Sequence, residues 1–309
     1  MAHLSRREFV QLTTAGVAAS PFVAGAAAPT AQEIVDRIKA RLGVTWQAST
    51  VDTFKAGDPS TAVTGVVTTS LATIDILRRA VKSGANMVVT SGPTFYSRAD
   101  SSTPPAGRGR GAAPQAPVDP VFAAKNEFIR ANKLVVWRLS DHWRLRSPDG
   151  FVRGLIDMLG VAQLATGGDP RQVAVPATSL DALSERLKAA LNARGGMRIV
   201  GNPQTRVRTI ALLPGTVPIQ TSLAVLPQVD AVIAGEIREW ESSEYARDMV
   251  TSGRNKGLIL IGRTLSEDPG MRACAQWLEG IVPEAPVRWI PAGDPFWRPA
   301  ASPLQGGAA

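Results

Sequence analysis

The sequence predicts an α/β fold in two halves of similar strand–helix–strand type, on three observations. Short β-branched runs such as Val63-Thr64-Gly65-Val66-Val67-Thr68-Thr69 alternate with stretches of helical period. Successive strands are separated by a helix, and a connection of that length joins parallel neighbours. The last third repeats the order of the first, with strand ends at Ser91 and Arg263 as counterparts.

Taken in order, residues 31–42 set Ile34, Val35, Ile38 and Leu42 on one face and charges on the other, as an amphipathic helix does. A strand follows at 63–69, and Thr69 or Ser70 is placed to cap a helix at 74–83, which Gly84 closes. Met87-Val88-Val89-Thr90 is the second strand of this unit and ends at Ser91-Gly92-Pro93. Loops at strand C-termini carry the chemistry in such units, so Ser91 and Gly92 sit where a site belongs. Residues 101–117, rich in Pro, Gly, Ala and Arg around Gly107-Arg108-Gly109-Arg110-Gly111, read as a flexible surface insertion. A helix at 121–132 and a strand at 134–137 come next, the strand running into Ser140-Asp141-His142-Trp143-Arg144. A helix at 151–159, closed by Gly160, ends the first half. The second half is expected to hold helices at 180–192 and 240–251 and strands at 206–213, 231–234 and 257–261, the last ending at Gly262-Arg263.

The first residues carry Ser5-Arg6-Arg7-Glu8-Phe9-Val10 ahead of a mildly apolar, alanine-rich run, the layout of a twin-arginine export signal. Residues 1–28 are expected to be that signal peptide, leaving a periplasmic or secreted domain at 29–309 with no transmembrane anchor. Ser20-Pro21 interrupts the apolar run where a membrane span needs an unbroken helix. Cys274 is the single cysteine, so no internal disulfide forms even in an oxidising compartment. The net charge of +8 suits an anionic small molecule or an envelope surface as partner. The arginines are scattered with few aromatics among them, so specific nucleic-acid binding is not expected. Neither Gly-x-Gly-x-x-Gly nor a P-loop lysine occurs.

Three segments together resemble a known family. The first runs from Gly65-Val66-Val67-Thr68-Thr69 to Pro93-Thr94-Phe95-Tyr96, and the second from Val135-Val136-Trp137-Arg138 through Asp141-His142-Trp143 to Pro148-Asp149-Gly150. The third runs from Ala234-Gly235-Glu236-Ile237-Arg238-Glu239-Trp240-Glu241 to Ser266-Glu267-Asp268-Pro269-Gly270-Met271-Arg272. Their order and spacing resemble the dinuclear-metal-centre hexameric proteins, the Nif3-like family often described as GTP cyclohydrolase 1 type 2 homologues. The resemblance implies two related α/β subdomains, roughly 29–160 and 161–295, with mixed sheets flanked by helices and the site between them. It also implies self-assembly into trimers or hexamers.

A pair of metal ions is implied too, held by a His-His or His-Glu pair in the first segment, one ligand in the second and His-x-x-x-Glu in the third. Carried over, the first pair falls on Ser91 and Gly92 and the last on Arg263 and Glu267. A His-Asp-His-Trp-His variant of the second segment becomes Ser140-Asp141-His142-Trp143-Arg144. Ser91, Gly92 and Arg263 therefore lack usable ligands, and Asp141, His142 and Glu267 are the residual metal candidates. The chain has only two histidines, and His3 falls in the expected signal. A guanidinium stays protonated and competes with a cation instead of binding one. The expected replacement is an ion pair, with Arg263 or Arg144 neutralising Glu267 and Asp141. No cofactor is expected, and at most one weakly bound divalent cation on Asp141 and Glu267.

Glu236 is a further pocket candidate, whereas Glu239, Glu241 and Glu244 read as solvated acids at a helix start. Trp137, Trp143, Trp240 and Trp297 read as core or interface anchors. Ser91 is the one nucleophile candidate at a strand end, and no catalytic residue is assigned. The reading is an exported member of the family, its metal site largely lost, acting as a non-catalytic binding or scaffold protein. The alternative, resting on Asp141, Glu236 and Glu267, is a metal-dependent hydrolase of a nucleotide or another phosphorylated small molecule.

Overall fold

A computed structural model describes residues 27–97, 100–103, 119–163 and 169–297. The expected signal and most of the expected insertion at 101–117 lie outside the described residues. The first half comprises α1 (Ala31–Arg41), β1 (Phe54–Ala56), β2 (Val66–Thr69), α2 (Ile74–Lys82), β3 (Met87–Thr90), α3 (Pro120–Ala131), β4 (Val135–Arg138), α4 (Asp141–Arg144) and α5 (Gly150–Leu159). The second opens with β5 (Ala162–Gln163), β6 (Gln172–Ser179), α6 (Leu180–Leu191), β7 (Arg198–Val200) and β8 (Arg206–Thr216). It continues with α7 (Ile219–Val225), β9 (Ala231–Glu236), α8 (Glu244–Thr251), β10 (Gly257–Leu260), α9 (Arg263–Glu279) and β11 (Val287–Trp289).

Both sheets are mixed, as the sequence predicts. The five-stranded one has the order β1-β4-β3-β2-β11, parallel from β4 to β11 with β1 antiparallel at its edge. The six-stranded one has the order β5-β6-β8-β9-β10-β7, with β8, β9 and β10 parallel and the flanking strands antiparallel. Every residue of β2, β3 and β4 is buried, because helices cover both faces of a parallel sheet.

Two local expectations change. Thr73, not Thr69 or Ser70, caps α2 by accepting from the Ile76 N–H, and Ser70 instead donates to Asp268 at 2.6 Å. The chain also crosses the expected boundary between its halves. After α9 it returns to the first sheet as β11, beside β2. Leu265 of α9 packs in the core under the second sheet, whereas Met271, Cys274 and Leu278 pack in the core under the first. α5 bridges in the same way, with Phe151 in one core and Val152, Leu155 and Ile156 in the other. These two helices hold the sheets in a fixed relation, and the cleft between the sheets opens at their N-terminal ends.

With Cys274 a free buried thiol, burial carries the fold, and each fully buried aliphatic side chain contributes roughly 1.5–3 kcal/mol relative to exposure. Trp137 and Trp143 belong to this core, but Trp240 and Trp297 are exposed. No helix among the described residues is long and apolar enough to cross a membrane.

Candidate functional site

A cavity of about 600 Å³ lies where the C-terminal ends of β3, β4, β8 and β10 meet. Strand ends supply its walls for the reason given by the sequence: each buried strand must stop at a polar loop before its covering helix begins. Arginines and carboxylates face one another across it: Arg138, Arg144, Arg171 and Arg263 against Asp141, Asp149 and Glu267.

Glu267 is the centre of this arrangement. It lies in the first turns of α9 and is 2 % exposed. The Ser91 hydroxyl donates to its Oε2 at 2.9 Å, and Arg144 Nη2 donates to its Oε1 at 3.4 Å. Arg263 Nε lies 3.6 Å from the same Oε1. Ser91, just past the end of β3, thus meets Glu267 of α9, which Arg263 one turn earlier also faces. Arg144 is held by more than this contact, since its Nη1 donates to Asp149 and to the Pro214 carbonyl, both at 3.2 Å, and its guanidinium stacks on Phe151. Asp149 also caps α5 by accepting from the Phe151 N–H. Burial pushes the Asp149 carboxyl above the usual range, against the pull of Arg144.

Two glycines make room for these contacts. Gly215, at φ +83°, would place a Cβ 2.7 Å from Glu267 Oε1 and 2.9 Å from Arg144 Nη2. Only glycine adopts that backbone without strain while leaving the ion pair its space. Gly92 would place a Cβ against Leu71 and 2.7 Å from the Ser70 carbonyl. A side chain at Gly92 therefore meets backbone before it reaches the cleft.

The remaining candidates are dispersed. Asp141 lines the cavity, but its Oδ2 accepts from the Thr50 hydroxyl at 3.0 Å and the Val51 N–H at 3.1 Å. None of the ion pairs among the described residues includes Asp141, so of the two acids expected to pair with Arg144 or Arg263 only Glu267 does. His142 is fully buried outside the cavity lining. Its Nε2 accepts from the Gln47 N–H at 2.9 Å, which places the proton on Nδ1, 2.8 Å from Asp52 Oδ2. Trp46 stacks on the ring at 3.6 Å. Asp52 also accepts from the N–H groups of Ser140, Asp141 and His142, so the pair serves to anchor α4. Both ring nitrogens are spent, and His142 is not a ligand. Glu236 stands at the exposed rim, where it accepts from the Thr216 hydroxyl and lies 3.9 Å from Arg263.

Arg138, Asp149 and Arg171 were not singled out from the sequence. Arg138 had a readable signal, a lone charge ending the apolar strand run of Leu134-Val135-Val136-Trp137. Asp149 had one too, as an acid just ahead of the helix expected at 151–159, whereas Arg171 had none, since it lies in a loop whose course depends on the tertiary fold.

The metal pair implied by the resemblance does not fit this donor set. Gly92 has neither a side chain nor space for one, and the Ser91 hydroxyl is committed to Glu267. His142 faces Asp52, and Arg144 and Arg263 crowd Glu267 Oε1. Among the described residues no three His, Cys, Asp or Glu side chains converge as a cation site. Two divalent ions need several anionic or imidazole ligands to offset their mutual repulsion.

Residues 147–291 match the Duf34/NIF3 (NGG1p interacting factor 3) family. Glu236, Arg263 and Glu267 fall inside that match, and Ser91, Gly92, Asp141, His142 and Arg144 outside it. No curated protein matches the sequence. Among solved structures, the Staphylococcus aureus protein SA1388 is similar at 15 % identity and a TM-score of 0.65, over 87 % of this chain and 99 % of that one. A Bacillus cereus protein related to NIF3 is similar at 11 % identity and a TM-score of 0.64, over 88 % of this chain and 99 % of that one. TTHA1606 from Thermus thermophilus is similar at 16 % identity and a TM-score of 0.59, over 84 % and 97 %. At these identities the likeness is one of fold.

Proposed function

Because the chain is a Nif3-like family member, we propose that it is an exported, non-catalytic binding protein in which arginines take the place of the family's metal pair. The observation that carries this reading is the environment of Glu267, a buried carboxylate flanked by Arg144 at 3.4 Å and Arg263 at 3.6 Å. A carboxylate left alone at that depth would have to bind a cation or take up a proton. Here the protein supplies the positive charge itself. A guanidinium so placed repels a divalent ion at the position a metal would occupy.

Two side chains that could serve turnover are engaged elsewhere, which supports the binding reading. Ser91 is fully buried under Glu267 and cannot meet a substrate, and the one histidine of the described residues is committed to Asp52. What the cleft offers is a preorganised lining, with four arginines against three carboxylates, suited to holding a ligand. Export is part of the proposal and rests on the Arg6-Arg7 pair and the alanine-rich run behind it.

Elemental analysis of protein purified without chelators, followed by calorimetric titration with Mn²⁺ and Zn²⁺, tests the reading. The expected result is less than one ion per chain and no tight binding. Two ions per chain would overturn it and make the metal-dependent hydrolase the better account.

A further inference from the structure

Two of the guanidinium groups that line the cavity have donors left over. Arg138 is 5 % exposed; its Nε donates to the Ser91 carbonyl at 3.1 Å, but its Nη1 has no hydrogen-bond partner. The nearest acid, Asp100, pairs with it at 3.7 Å, a buried ion pair too long for a hydrogen bond, and the Asp100 Oδ2 has no hydrogen-bond partner either. Arg263 is in the same condition, with a buried Nε that makes no hydrogen bond and ion-pair distances of 3.6 Å to Glu267 and 3.9 Å to Glu236. Both guanidinium groups are thus left with ion pairs too long for a hydrogen bond, so the chain's own acids under-satisfy them and a further acceptor at the cavity would be favoured.

The surroundings favour an anion in that role. Arg263 is the first residue of α9, a 17-residue helix whose cap, Gly262, contributes no side-chain oxygen to the free N–H groups of the first turn. The positive end of that helix points the same way as the Arg263 charge. Burial disfavours the charged form of Arg138 against the pull of Asp100, and the nearby Arg263 adds to the effect of burial. An anion between the two would relieve both. The acids nearby fill the need only in part: Asp100 offsets Arg138 as an ion pair without a hydrogen bond, while Glu267 is served by Arg144 and Ser91, Asp149 by Arg144 and the α5 N-terminus, and Asp141 by Thr50 and Val51. A cavity of about 600 Å³ holds a small organic molecule, and its apolar wall of Val51, Pro93, Val152, Leu213 and Val217 suits the body of such a molecule.

We infer that the cavity is a binding site for the oxyanion end of a small molecule, a phosphate monoester or a carboxylate, gripped between Arg138 and Arg263. This deepens the proposed function and rests on its metal-free reading. Guanidinium forks match both kinds of oxyanion, so the shared chemistry is a terminal group with two or more acceptor oxygens.

The test is calorimetric titration of the full mature chain with inorganic phosphate and, separately, with citrate, each once in EDTA and once with Mn²⁺. Binding in EDTA is expected, and the stronger of the two probes identifies the class of oxyanion. Arg138→Gln and Arg263→Gln should each weaken it by about 10-fold or more, the loss of charge-assisted hydrogen bonds. Arg153→Gln, on the exposed face of α5, should leave it unchanged. Circular dichroism of each variant checks folding, and Arg263→Lys, which keeps the charge, should bind between wild type and Arg263→Gln. No binding of either probe in EDTA or in Mn²⁺ would overturn this inference and leave the metal-free reading standing. Binding only with Mn²⁺ would overturn both. Binding that survives Arg138→Gln and Arg263→Gln together would place the anion elsewhere and overturn the site.

Discussion

Glu267 shows how a single carboxylate sets the character of the cleft. Its two cations share one oxygen, so removing either leaves the other in place. Arg263→Ala alone is therefore expected to cost only about 1 kcal/mol, given a partly exposed guanidinium and no hydrogen bond. Arg144→Ala with Arg263→Ala is expected to cost more than the sum of the single changes, because it leaves a buried carboxylate unpaired. Urea denaturation of the three variants measures this, and strictly additive losses would contradict the shared pairing. Gly92 makes a separate point. Gly92→Ala should destabilise the fold by roughly 1–3 kcal/mol through its clash with Leu71 and the Ser70 carbonyl, and a neutral result would show that the loop has slack. The residue-by-residue resemblance named Ser91, Arg263 and Glu267 from the family motifs, and these three lie around one carboxylate in the structure. It misjudged His142, because nothing in the sequence reveals that Asp52 and Trp46 fold over the ring.

A one-sided helical period or an unbroken apolar run made an element legible. The helix at 74–82 follows such a period, and the strands at 87–90 and 257–260 follow such runs, buried at every residue. α9 left no such trace, since residues 265–271 are buried on every side, including Ser266, Glu267 and Asp268. The short strands β1, β5, β7 and β11 run two or three residues, too few for a period. Packing of α9 between both cores also predicts that the Cys274 thiol, fully buried and with its pKa raised by burial, is inert to thiol reagents in the native protein. Labelling at the rate of global unfolding is expected, and fast labelling in native buffer would contradict that packing. α3 carries its own titrating group. Lys125 is buried, donates to the Thr94 carbonyl beside Phe95 and Tyr96, and is pushed down to about 8 by burial, against the pull of Asp100. The unfolded chain, with the ordinary lysine value of 10.5, then binds more protons between those values, so stability contributed here rises as pH climbs through that window. Lys125→Met should flatten the rise seen by denaturation at several pH values, and parallel slopes would refute it.

The molecule as a whole holds its cleft between two sheets that α5 and α9 lock together, and β11 ties the end of the described chain back to its beginning. That return was not readable, because pairing of distant strands leaves no local signature. The fold class and the strand-end position of the cleft were readable from alternating periods and from the three motif segments. Export makes its own prediction: Arg6→Lys with Arg7→Lys should hold the precursor in the cytoplasm with its leader attached, and a mature product beyond the inner membrane would contradict it. The claim on which the rest depends is that protein cations, not metal ions, neutralise the cleft. Anomalous diffraction at the zinc edge, from crystals of the mature chain equilibrated with Zn²⁺, tests it most directly. The account predicts no anomalous peak within bonding distance of Glu267, with Arg144 and Arg263 still against its carboxylate; a pair of peaks there, with the arginines swung away, would contradict it.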